Sequence, residues 1–177
     1  MRVSVSDQLA ILRMVLVPVV MGLIMSDVPA WAAALFVVAA ITDFLDGYLA
    51  RRMGQLTTLG AFLDSTADKM LVTGTFLALI AVGRASIWIA GIIITREFAV
   101  MALRSLAGLE GIHVPPSIWG KLKANAQFVA LGFAIVRSGD RIGNWYLDEY
   151  LMAVAVVLTL YSGWDYIRGF FVSRPAV

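Results

Sequence analysis

Six largely apolar stretches, each about the ~20 residues a helical membrane span needs, follow one another with only short polar breaks. They cover roughly residues 8–25, 31–50, 57–82, 86–107, 118–137 and 146–171. An open sheet cannot sit in lipid, because its edge N–H and C=O groups would find no partner there. The breaks are rich in turn formers: Ser26 to Pro29, Met53 to Gln55, Gly83-Arg84, Gly111 to Pro116 and Ser138 to Asn144. The expected fold class is an all-α integral membrane protein with six transmembrane helices. Composition agrees, since 60% of the residues are hydrophobic against roughly 45–50% in a soluble domain. With 177 residues the chain has room for a single membrane domain over 1–177.

The same composition excludes several chemistries. There is no cysteine, so disulfides and thiolate metal sites are ruled out, and the lone His113 rules out any site needing two histidines. A net charge of +2 is too mild to indicate a nucleic-acid partner. The first apolar run is preceded by Arg2 and Asp7 and holds Arg13 near its start, and no small-residue cleavage site follows it, so it is expected to remain as the first span. An even number of spans brings both termini to one side. That side carries Arg2, Arg51, Arg52, Lys121, Lys123, Arg168 and Arg174, and the other only Arg84, Arg137 and Arg141. The positive-inside rule makes the richer side cytoplasmic, together with the turn near Gly54 and the 108–117 loop. A bacterial inner (cell) membrane is the expected location. The aromatic and basic stretch Trp164 to Arg168 reads as an interfacial anchor.

Charged groups inside a span are costly, about 2.5 kcal/mol or more for an acid near a helix centre. This chain nevertheless places Asp43, Asp46, Asp64 and Asp68 near the cytoplasmic ends of its second and third spans. Asp43 and Asp46 are three apart and Asp64 and Asp68 four apart, so each pair shares a helix face. The turn near Gly54 makes the two spans antiparallel, with Asp46 eight residues before it and Asp64 ten after. All four acids can therefore reach a similar depth in a polar cavity on the cytoplasmic side. Four carboxylates at close quarters need protons or cations. An oxygen-only donor set favours Mg²⁺ or Mn²⁺, which complete their shells with phosphate and water. One or two metal ions and a phosphate-bearing substrate follow. The alternative is that each acid pairs with Arg51, Arg52 or Lys69 at a helix end. Small residues beside the acids (Gly47 and Ala50 on one span, Gly60 and Ala61 on the other) would admit a ligand close to the backbone, or close helix packing.

The run from Asp43 to Asp68 reads D-x2-D-G-x2-A-R-x8-G-x3-D-x3-D. This resembles the signature of the CDP-alcohol phosphatidyltransferases, and every fixed position of it is matched. The resemblance implies that Asp43, Asp46, Asp64 and Asp68 hold two metal ions and that Asp68 is also the general base. It implies a CDP site lined by Gly47, Ala50, Arg51 and Gly60, and a homodimer. The lipid substrate would be CDP-diacylglycerol, its tails remaining among the membrane lipids.

The signature does not name the alcohol. Arg96 and Arg104 lie eight apart in the fourth span, roughly on one face, and Lys121 and Lys123 open the fifth. An acceptor with its own phosphate needs such a basic pocket. Within the family, Arg96-Glu97-Phe98 with Leu103-Arg104, Ser117 to Lys123 with Gln127, and Arg13 with Pro18 resemble the phosphatidylglycerophosphate synthases, which implies glycerol 3-phosphate as acceptor. Other readings stay open. Lys121 and Lys123 can serve as interfacial anchors, Arg104 can snorkel, and Arg96 can pair with an acid. An inositol phosphate or phosphatidylglycerol acceptor would keep the reaction class, whereas a divalent-cation transporter would use the four acids as an ion site.

Overall fold

The computed structural model describes the backbone of residues 5–53, 58–109, 111, 117–137, 139 and 141–173, and the side chains of these except at 5–6, 43–53, 58–59, 61 and 173. The described residues form six α-helices: α1 (Val5–Met25), α2 (Pro29–Met53), α3 (Thr58–Ala81), α4 (Ile87–Leu109), α5 (Ile118–Val136) and α6 (Leu147–Ser173). Each lies within a few residues of an expected span. The β-structure among the described residues is one isolated bridge, Ile142 to Trp145.

Among the described residues two stretches, Asp7–Met25 and Leu147–Val172, are long and apolar enough to cross a membrane, and Pro29–Thr42 is a shorter apolar stretch. Helices α3, α4 and α5 interrupt their apolar runs with charged residues, which include the site candidates Asp64 and Asp68, Arg96 and Arg104, Lys121 and Lys123. Large apolar side chains also point outward along the helices, among them Val15 (59% exposed), Trp31 (70%), Trp88 (80%) and Val157 (65%). So many exposed large apolar side chains suit an apolar solvent.

The chain packs as two compact units, Met1–Ala85 with Leu131–Ser138, and Ser86–Ala130 with Gly139–Val177. In the first unit α1 packs on both α2 and α3. Its buried stripe is Ala10, Arg13, Val17, Val20 and Ile24, spaced three and four apart, which is one helix face. Against it α2 buries Ala32, Phe36 and Ala39, and α3 buries Ala67, Leu71 and Gly74. A methyl group added at Gly74 would stand 2.5 Å from Val17 Cγ1, so glycine sets how closely α1 and α3 approach.

Helix ends in this unit are closed by backbone and side chain together. Asp27 (φ 53) and Gly83 (φ 70) take the left-handed conformation just past α1 and α3. In each case the next amide reaches back five residues, Val28 N to Leu23 O at 3.1 Å and Arg84 N to Leu79 O at 2.8 Å, which satisfies carbonyls the helix leaves open. Arg84 then donates to Asp27 Oδ1 at 2.9 Å and to the Ile135 carbonyl at 2.8 Å, while Arg137 donates to the Arg84 carbonyl at 2.9 Å. Arg84 and Arg137 are thus engaged in tying turns together. In the second unit α4 packs on α6.

Candidate active site

The first unit carries the acidic face. Asp64 and Asp68 stand one turn apart on α3, flanking buried Ala67 and Leu71. Asp64 accepts a hydrogen bond from Arg13 Nη1 at 3.2 Å. The Arg13 side chain is wholly enclosed, whereas that of Asp64 keeps 37% of its surface exposed. An enclosed guanidinium needs a partner, and Asp64 supplies it while retaining an open side for a further ligand. The helix-end pairing considered from sequence is not the arrangement at Lys69. That ammonium donates to the Ser65 carbonyl at 3.2 Å and to Ser65 Oγ at 3.1 Å. Arg13 reaches Asp64 because it occupies the buried stripe of α1, which packs on α3. Their separation of 51 positions gave no local signal of it.

Gly60 is buried on the same helix. Asp43, Asp46, Gly47, Ala50 and Arg51 belong to the helical backbone of α2, but their side chains lie outside the described residues. Ala61 lies outside them too. Among the described residues no three potential ligands gather at one point. The donor set Asp64 and Asp68 is nonetheless of the hard, oxygen-only kind that suits Mg²⁺ or Mn²⁺.

The second unit carries a polar cluster built from three helices. At its centre is the buried Glu97 of α4. Its Oε1 accepts from Lys123 Nζ of α5, from the neighbouring Arg96 Nη1 at 3.2 Å, and at 3.5 Å from Gln127 Nε2. Gln127 also donates to Thr159 Oγ1 of α6 at 2.8 Å, and Arg96 Nη2 donates to Ser162 Oγ at 3.0 Å. Lys123, Gln127, Thr159 and Ser162 are all buried. Gly163 makes the room for the guanidinium, since an added methyl would stand 3.1 Å from Arg96 Nε and 3.2 Å from its Cγ. Among the described residues the cluster holds two cations, Arg96 and Lys123, and one anion, Glu97.

The four basic candidates therefore divide. Arg96 and Lys123 meet at Glu97. Arg104, two turns on, faces the same neighbouring helix and places its guanidinium 5.7 Å from the centre of the Tyr166 ring, a cation–π contact. Lys121 is exposed and has no described contact with the cluster. Sequence reading missed Thr159, Ser162 and Gly163. They are small or hydroxyl residues in an apolar helix, and such residues also serve ordinary helix packing.

Comparison with known proteins decides what this combination belongs to. The family described as CDP-alcohol phosphatidyltransferase matches residues 3–161. The chain belongs to that family. The match contains the whole Asp43–Asp68 signature and the cluster as far as Thr159, with Ser162 and Gly163 just past it. A CDP-diacylglycerol–glycerol-3-phosphate 3-phosphatidyltransferase of Shigella flexneri is 38% identical over 175 residues, covering 94% of each chain. The enzyme of the same name from Haemophilus influenzae is 36% identical, covering 95% of this chain and 94% of its own. A probable phosphatidylglycerophosphate synthase of Mycobacterium tuberculosis is 36% identical, covering 93% and 80%. This phosphatidyltransferase is a membrane protein, as its apolar helices and outward apolar side chains require.

Proposed function

We propose that this phosphatidyltransferase transfers the phosphatidyl group of CDP-diacylglycerol to glycerol 3-phosphate, giving phosphatidylglycerophosphate and CMP in phospholipid biosynthesis. The observation that carries the reading is near full-length similarity, at 34–38% identity, to several enzymes named for that reaction. The buried pair Arg96 and Lys123 supports an acceptor that bears a phosphate, because guanidinium and ammonium donors brought together are the groups that recognise one.

In this reading Asp43, Asp46, Asp64 and Asp68 would hold Mg²⁺ or Mn²⁺, two ions in all, which when bound would supply positive charge for the diphosphate. Gly47, Ala50, Arg51 and Gly60 line the CDP site, with Arg51 near the diphosphate. Arg13 fixes the Asp64 rotamer through their ion pair, so that carboxylate is aimed before substrate arrives. Asp68 takes the proton from the acceptor hydroxyl. The resulting alkoxide attacks the phosphorus that carries the diacylglycerol, and the bond to the CMP oxygen breaks. Arg96 and Lys123 hold the acceptor phosphate, Arg104 lies on the same helix face, and Lys121 adds charge at the cytoplasmic surface. Positioning and charge stabilisation supply most of the rate in such transfers. The six helices all span the bacterial inner membrane, with the site and both termini cytoplasmic, and the working unit is a homodimer.

The test is CMP release by purified protein with CDP-diacylglycerol and Mg²⁺, giving glycerol 3-phosphate, inositol 1-phosphate or phosphatidylglycerol one at a time. Release with glycerol 3-phosphate alone is expected. Release with another alcohol keeps the reaction class and moves the acceptor. Silence with every acceptor, under Mg²⁺ and Mn²⁺ alike, would turn attention to ion transport.

A further inference from the structure

A carboxylate at the centre of a pocket meant for an anion is at first sight misplaced. Glu97 is 8% exposed and lies in a helix that otherwise buries Ala90, Ile93, Val100 and Ala107. A buried acid without cations would be costly, yet this one competes for the charges that a phosphate would use. Its geometry resolves the conflict. A single oxygen, Oε1, receives both Arg96 and Lys123, which come from different helices and repel one another. Gln127 approaches the same oxygen, and is itself anchored on Thr159. Without that shared acceptor nothing described would draw the Lys123 ammonium toward Arg96.

We propose that Glu97 is a positioning residue of the acceptor pocket, holding the Arg96 guanidinium and the Lys123 ammonium together so that one phosphate can engage both. The inference rests on the reading of Arg96 and Lys123 as the acceptor's phosphate site. Thr159 and Ser162 extend the same role, one through Gln127 and the other by accepting from Arg96 Nη2. The carboxylate also offsets positive charge, so the two buried cations beside it are less costly to enclose than they would be without it.

The experiment compares Glu97→Gln and Glu97→Asp in full-length protein reconstituted in lipid, measuring KM for glycerol 3-phosphate and for CDP-diacylglycerol separately. Glu97→Gln keeps size and an acceptor oxygen but removes the charge that restrains the two cations. Its KM for glycerol 3-phosphate is expected to rise about tenfold, the scale of one charge-assisted contact, more than turnover falls, with the KM for the CDP-lipid within about twofold. Glu97→Asp restores the charge one methylene short and is expected to recover part of that loss. If Glu97→Gln does not fold, Glu97→Asp alone still decides, through a selective rise in the acceptor KM. An unchanged acceptor KM overturns the inference. So does a lower one, which would make Glu97 a mere competitor for the cations. Arg96→Ala and Lys123→Ala separate the two levels. If they raise the acceptor KM and the Glu97 variants do not, only the positioning role falls. If none of them raises it, the phosphate site falls as well.

Discussion

The two units solve the problem of charge among apolar helices in opposite ways. In the first, the cation is enclosed and the acid is open. Arg13 has no exposed side-chain surface, while Asp64 keeps 37%. In the second, acid and cation are both enclosed, with Glu97 and Lys123 buried and Gln127, Thr159 and Ser162 adding hydrogen bonds around them. The difference teaches which charges are available to a ligand. A carboxylate oriented from behind by a buried arginine keeps free coordination positions on its solvent side. A carboxylate that receives two cations inside the protein is occupied, and serves to arrange them.

The comparison breaks most decisively at Asp68. Asp68→Asn is expected to lower turnover by about 10²–10⁴-fold, the usual contribution of a general base, while binding of CDP-diacylglycerol is largely spared. Substantial turnover in that variant would remove Asp68 as the base. Packing gives the next effect. Gly74→Ala drives a methyl group into Val17, and a loss of about 1–3 kcal/mol is expected for such overpacking, read as a lower unfolding midpoint in detergent. An unshifted midpoint would mean that α1 and α3 part easily.

Arg13→Ala sharpens the contrast between the units. It removes a hydrogen bond between charged groups, expected to cost about 1.5–3 kcal/mol, toward the lower figure because Asp64 is partly solvated. Metal-dependent turnover should also need more Mg²⁺, since Asp64 is no longer aimed. A Mg²⁺ requirement unchanged from the unsubstituted protein would limit Arg13 to stability. The smallest effects concern the outer cations. Arg104→Ala is expected to raise the acceptor KM by a fewfold, and exposed Lys121→Ala by less than about twofold, as for other surface charges. Equal effects at Lys121 and Lys123 would erase the distinction between buried and exposed cations.

The six helices were legible because apolar length alone announces a span, and their ends because Asp27-Val28-Pro29 and Gly83-Arg84 carry turn chemistry. Asp43 to Asp68 marked the family through the spacing of its fixed residues. Arg96 and Arg104 were placed on one face by a separation of eight, and both do turn to α6, through Ser162 and Tyr166. What periodicity withheld was the partner. It shows that Arg13 lies on the buried stripe of α1 but not that α3 covers it there, and it gives no weight to a lone Glu97 beside Arg96.

The sequence by itself determined the helical class, the family and the residues that can carry charge, since each of these follows from spacing along one chain segment. Only the tertiary structure decided how those charges are matched. Arg13 meets Asp64 across 51 residues and Arg96 meets Ser162 across 66. The physical reason is that a buried ion's energy depends on the groups brought within a few ångströms of it from other helices, and separation along the chain does not record that distance.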